Sequence, residues 1–225
     1  MLGLDDQIAG LGAGATFVIV AAIAALLGLR HATDPDHLTA VSTLVASDDA
    51  RTPSRAGKLG LSWGLGHATT LFLFGLPIVL ARDYLPEPVQ QAAEFSIGLL
   101  IMGLAIRLLV RWRRGLLAPA RRVPVRSRRV AYGIGLLHGI GGSAGVGLLL
   151  LAAIPDHVEG VVALLIFASF TALSMALAST AFGYGISREP VLRRFIRVAP
   201  VLGVASLAFG AWYALGAIEA VPYVL

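Results

Sequence analysis

The sequence predicts an all-α polytopic membrane protein with about six transmembrane helices. Three observations carry that reading. Of 225 residues, 57% are hydrophobic and 14% charged, with a mean hydropathy of +0.81, where a soluble domain carries about 25% charged residues. Apolar runs of roughly the 20 residues that cross a hydrocarbon core recur along the chain. The basic residues gather in alternate connections between those runs. Such a chain cannot cover itself with polar groups, and lipid is its natural solvent.

The candidate spans cover about 14–45, 58–80, 89–110, 130–154, 158–186 and 198–217, each close to the length that a bilayer requires. Pro53, Pro86, Pro88, Pro119, Pro124, Pro155 and Pro190 fall between them, where helices end without penalty. The first span is anomalous. As a straight helix it would reach about 48 Å against a core of about 30 Å. Pro35 predicts that it breaks instead, within the interruption from His31 to His37.

Orientation follows from Lys and Arg. Arg51, Arg55 and Lys58 follow the first span. Arg111, Arg113, Arg114, Arg121, Arg122, Arg126, Arg128 and Arg129 follow the third, and Arg188, Arg193, Arg194 and Arg197 follow the fifth. These connections hold 15 of the 18 basic residues. They are expected to face the cytoplasm, with both termini outside, in a cell (inner) membrane. The same placement explains the +5 net charge and the pI of 10.2 as topological anchoring, so no nucleic-acid partner is expected. Residues 1–14 hold Asp5 and Asp6 but no Lys or Arg, so no cleavable signal peptide is read there. The absence of cysteine excludes structural disulfides, thiolate metal sites and CxxC redox chemistry.

Six spans divide as three plus three, which requires an inverted repeat. The expected organisation is a first half at 1–110, a basic cytoplasmic linker at 111–129 and a second half at 130–225. Gly28-Leu29-Arg30-His31 in the first half recurs as Gly135-Leu136-Leu137-His138 in the second. Interrupted, glycine-containing apolar segments at matching positions point to a transporter's binding site. Glycine pairs such as Gly60 and Gly64, or Gly135 and Gly139, allow close helix approach.

Ionisable groups inside a membrane are costly and need a partner or a task. The first span carries Arg30, His31, Asp34, Asp36 and His37; the second carries His67 and the fourth His138. Counted from the cytoplasmic ends, His37, His67 and His138 each lie about 12–15 Å deep, near the midplane. Imidazoles with a carboxylate suit nickel, zinc, copper or iron. On a continuous helix His31 and His37 would point about 120° apart; a break at Pro35 lets both turn inward. The candidate metal site is therefore His31, Asp34, Asp36, His37, His67 and His138. The competing readings are a hydrogen-bonded packing role for His138, helix bridging for His67 through Ser62 or Thr69, and a salt bridge of Asp34 and Asp36 with Arg30. A proton relay through the same residues needs no metal. His157, beside Asp156 and Glu159, is expected in a solvated outer connection.

The stretch from Arg30 to Leu38 resembles the H-x4-D-H signature of the nickel/cobalt transporter family, and Gly66-His67-Ala68-Thr69-Thr70 resembles its second histidine motif. The stretch from Leu137 to Ala144 is similar instead to the histidine-glycine motif of the shorter, six-helix urease-accessory-type members. The resemblance implies transport of Ni²⁺, or less often Co²⁺, by a single polypeptide without an ATPase. It also implies that His31, Asp36, His37 and His67 handle the metal.

The expected function is uptake of a divalent transition metal by a secondary transporter or facilitator. No P-loop is present, so ATP bound to this chain does not drive it. No cofactor is expected beyond the transported ion. Expected partners are that ion and the lipid bilayer, with a homo-oligomer left open. The alternatives are efflux through the same site and a non-transporting membrane metal-binding or assembly protein for a nickel enzyme. A zinc hydrolase would need three ligands, an open position and a base; H-E-x-x-H is absent, and no enzyme is expected.

Overall fold

The computed structural model describes residues 4–47, 52–81, 86–117, 127–139 and 154–222. Regular structure among them is helical throughout: α1 Leu4–His31, α2 Pro35–Ser47, α3 Pro53–Ala81, α4 Glu87–Arg113, α5 Arg128–His138, α6 His157–Ser187 and α7 Glu189–Ala217. Four of these, α3, α4, α6 and α7, are long and apolar enough to cross a bilayer, and α1 with α2 passes the same test as one span bent by 50°. The protein is an all-helical integral membrane protein. Many of its large apolar side chains face outward, with Leu26 65%, Leu73 66% and Val201 71% exposed, while His31, Asp36, His37, His67 and His138 are buried. Lipid, not water, is the solvent that this arrangement suits.

The helix ends follow local chemistry. Pro53 opens α3, and Pro88 and Pro190 lie in the first turns of α4 and α7, where proline's missing N–H costs no helical bond. Ser127 caps α5 by accepting from Val130 N, and Asp156 caps α6 by accepting from Glu159 N at 2.9 Å. His157 opens α6 and is exposed, as expected of an outer connection.

The break in the first span is present and lies just before Pro35. Helix α1 stops at His31, and the chain turns through 32–34 with Thr33 N donating to Arg30 O at 2.8 Å. Helix α2 then starts at Pro35, with Leu38 N donating to Asp34 O at 2.9 Å. Proline lacks the N–H that would continue α1 and drives the residue before it out of helical geometry.

Two expectations change. The helix of the sixth span is longer than the apolar run expected from about 198: α7 starts at Glu189, with only Arg188 between it and the end of α6. Arg193, Arg194 and Arg197 therefore ride on a helix, and Arg193 pairs with Glu189 one turn away at 2.5 Å. Hydropathy misses such a polar helical extension, since it lies beyond the apolar run. The basic connection expected at 111–129 also begins inside α4, where Arg111 is buried. Its middle, 118–126, lies outside the described residues, as does 140–153 of the expected fourth span; only that span's first part is seen, as α5.

Helices α3 and α6 run antiparallel, with Gly60 against Ser179 and Gly64 against Ala172. Helices α4 and α7 pair likewise, with Gly98 against Ala214 and Gly203 against Leu109. Two further helices dock on these pairs, α1 along α6 and α5 along α3. The C-termini of α1 and α5, at His31 and His138, thereby meet in the interior.

Candidate metal centre

Four helices place five residues of the site. His31 is the last residue of α1, Asp36 and His37 lie in the first turn of α2, His67 projects from the middle of α3, and His138 ends α5. All five are buried. Their imidazoles form one cluster around His37, whose ring centroid lies 4.4 Å from His31, 4.9 Å from His67 and 4.5 Å from His138.

The carboxylate of Asp36 organises one side. Its Oδ1 accepts from His37 Nδ1 and its Oδ2 from His138 Nε2, both at 3.1 Å. A carboxylate can only accept, so each ring must carry its proton toward Asp36. The opposite nitrogens, His37 Nε2 and His138 Nδ1, are buried with no hydrogen-bond partner among the described residues, and so is His67 Nδ1. A neutral imidazole held in this way keeps a free lone pair on its opposite nitrogen, the arrangement by which a carboxylate orients a metal-ligating histidine.

On the other side His31 Nε2 and His67 Nε2 lie 3.0 Å apart and share a hydrogen bond, so two ring nitrogens from α1 and α3 converge within reach of one ion. Behind His31, Asp34 Oδ2 lies 3.3 Å from Nδ1 while Asp34 Oδ1 faces the exposed Arg30 at 3.6 Å. Two three-donor sets result, His31/His37/His67 and Asp36/His37/His138, with the donor atoms of each within 4.8 Å of one another. His37 belongs to both. Asp34 belongs to neither set; it orients His31 and takes the salt bridge with Arg30, whereas Asp36 bonds to His37 and His138.

Helix ends add a cation-seeking field. Helices α1 and α5 both terminate at the cluster, and helix C-termini carry partial negative charge. Their last carbonyls are partly satisfied by the facing helices: Ser174 Oγ donates to Leu29 O at 2.6 Å, and Thr70 Oγ1 donates to Leu136 O at 2.9 Å. Asp36 itself is buried among imidazoles. A carboxylate in that setting is costly without a full positive charge nearby, which a divalent ion among the histidines would supply.

Helix bridging, which the sequence left open for His67, is shared: His67 joins α3 to α1 through His31, and its neighbours join α3 to α5. Ser62 Oγ donates to Arg128 O at 2.6 Å, and Thr69 Oγ1 shares a hydrogen bond with Tyr132 Oη at 3.0 Å. Sequence reasoning missed Trp63, which is fully buried with its ring 5.8 Å from His37 and 5.6 Å from His138, and Phe167, 5.7 Å from His31. It also passed over Glu94, which is buried in α4 and accepts from Gln90 at 3.2 Å. The periodicity of a lipid-embedded helix gives no signal for Trp63 or Phe167, whereas the charge of Glu94 inside the expected 89–110 span could have marked it.

The chain is similar to the urease accessory protein UreH of Bacillus sp. (strain TB-90). The two are 28% identical over 203 residues, which is 84% of this chain and 87% of that protein. No family model and no solved structure matches it. The similarity therefore covers most of both chains.

Proposed function

We propose that this protein carries a divalent transition-metal ion, Ni²⁺ first and Co²⁺ second, across a cell membrane through His31, Asp36, His37, His67 and His138. The observation that carries the reading is the buried cluster of imidazoles around His37, with unpartnered ring nitrogens and a carboxylate inside a membrane protein. Imidazole-rich sites bind nickel and cobalt alike, and nickel is favoured by the motif resemblance and by the urease in the relative's name. A non-catalytic role agrees with that name, which is an accessory protein's.

The ion is the cargo. It sheds water to the imidazoles and the carboxylate, and the protein rocks or gates around it. With the basic connections in the cytoplasm and both termini outside, a negative interior draws the ion inward. Two charges gain about 4.6 kcal/mol per 100 mV, enough to drive accumulation without ATP.

A six-span, three-plus-three inverted architecture supports the same reading. Helix α1 docks on α6 as α5 docks on α3, and α3 and α4 pair antiparallel with α6 and α7. That is the pattern an inverted repeat of 1–110 and 130–225 would give.

The relative's name also favours a second reading, a membrane protein that holds metal for enzyme assembly without moving it. Reconstitution separates the two. In proteoliposomes with an imposed inside-negative potential, a transporter accumulates radioactive nickel and loses that flux when the potential is collapsed. An assembly protein binds nickel and accumulates none.

A further inference from the structure

We propose that Trp63 and Phe167 are the two gates of the ion site, one closing it toward each face of the membrane. The proposal rests on the transport reading and deepens it. Three sets of contacts recur across the two halves of the molecule. A Cβ on Gly28 would collide with Phe167 O and Thr171 N, and a Cβ on Gly135 would collide with Trp63 O and His67 N. Ser174 donates to Leu29 O, and Thr70 donates to Leu136 O. The Phe167 ring lies 5.7 Å from His31, and the Trp63 ring lies 5.6 Å from His138. In each half, then, a helix ends in a site histidine three residues after a glycine. That helix packs against an aromatic residue, then against a residue one turn further on, and finally against a hydroxyl that caps the helix-end carbonyl.

The correspondence equates Trp63 with Phe167 and His67 with Thr171. The two aromatic residues sit on antiparallel helices. Gly64 faces Ala172, which puts Phe167 level with residue 69, about 9 Å along the α3 axis from Trp63. The histidine cluster lies between these levels. Trp63 faces the Pro53 end of α3 and packs on His37 and His138, whereas Phe167 faces the His157 end of α6 and packs on His31. Both are large, buried and apolar, so each excludes water from its side of the cluster. The indole N–H of Trp63 has no hydrogen-bond partner among the described residues, a cost that is relieved when the ring swings into a hydrated path. Closing a site with one side chain per face is what alternating access requires, since an ion open to both faces would leak.

The chain contains no cysteine, and Thr171 is fully buried beside Phe167, with a hydroxyl that has no hydrogen-bond partner among the described residues. A Thr171→Cys protein thus carries a single thiol between the two gates. Its labelling by a charged, membrane-impermeant thiol reagent is measured in right-side-out and in inverted vesicles. Adding Trp63→Ala is expected to raise the rate about tenfold or more from the cytoplasmic face only, a shift of about 1.4 kcal/mol in gate closure. Adding Phe167→Ala is expected to do so from the outer face only. Trp63→Leu and Phe167→Leu serve the same purpose if the alanine variants do not fold. Opening on the same face, on both faces or on neither overturns the gates. If wild-type vesicles carry nickel while the labelling pattern fails, the gates fall and the transport reading stands. If wild-type vesicles carry none, the transport reading itself falls, and the gates with it.

Discussion

His138 donates to the carboxylate of Asp36 at 3.1 Å across a separation of 102 residues, and the other oxygen of that carboxylate holds His37. One side chain thus fixes the ring orientation of a histidine in each half of the chain. Asp36→Asn keeps the shape but leaves one acceptor where there were two. Asp36 orients these two histidines besides offering a donor of its own, and orienting partners alone typically contribute 10–100-fold in metal affinity. Nickel affinity of the purified variant, measured by calorimetry, is expected to fall by about that factor while the protein stays folded.

Gly135 lies where α5 meets α3 most closely, and any Cβ there would strike Trp63 O. Gly135→Val is expected to cost about 1–3 kcal/mol as an overpacked contact and to lower the thermal midpoint in detergent. Gly133, two residues earlier on the same helix, has open space around it. Gly133→Val is expected to leave the midpoint near that of the wild type, which separates close approach from a general intolerance of bulk on α5.

Thr70 and Ser174 each cap a carbonyl two residues before a site histidine, at Leu136 and Leu29. Thr70→Val and Ser174→Ala should each leave a buried carbonyl short of a partner, at about 1–3 kcal/mol. Thermal unfolding is expected to show similar losses for the two, with Thr70→Ser close to wild type. A loss in one variant alone would break the correspondence between the halves.

Much of this molecule is legible in its sequence, for identifiable reasons. Charged and imidazole side chains are so costly at membrane depth that His31, Asp36, His37, His67 and His138 stand out, and the excess length of the first span with Pro35 locates its break. Trp63, Phe167 and Thr171 are hidden by the same logic. On a helix surrounded by lipid, apolar or small side chains facing inward look like those facing outward, and only the neighbouring helix distinguishes them. Leu65 and Leu73 of α3 are exposed while Leu71 is buried, with no change in residue type to announce it. The early start of α7 escapes for a different reason: Glu189 to Arg197 is a polar helix, favoured by Pro190 in its first turn and by the Glu189–Arg193 pair rather than by apolarity.

The central claim is that the cluster around His37 is the path of the ion. The direct test is radioactive nickel accumulation in proteoliposomes by the wild type, His37→Ala and His67→Ala, at matched protein content and membrane potential. His37 belongs to both donor sets and His67 to one. The expected result is loss of accumulation in His37→Ala and a strong reduction in His67→Ala. Wild-type accumulation in both variants would contradict the account.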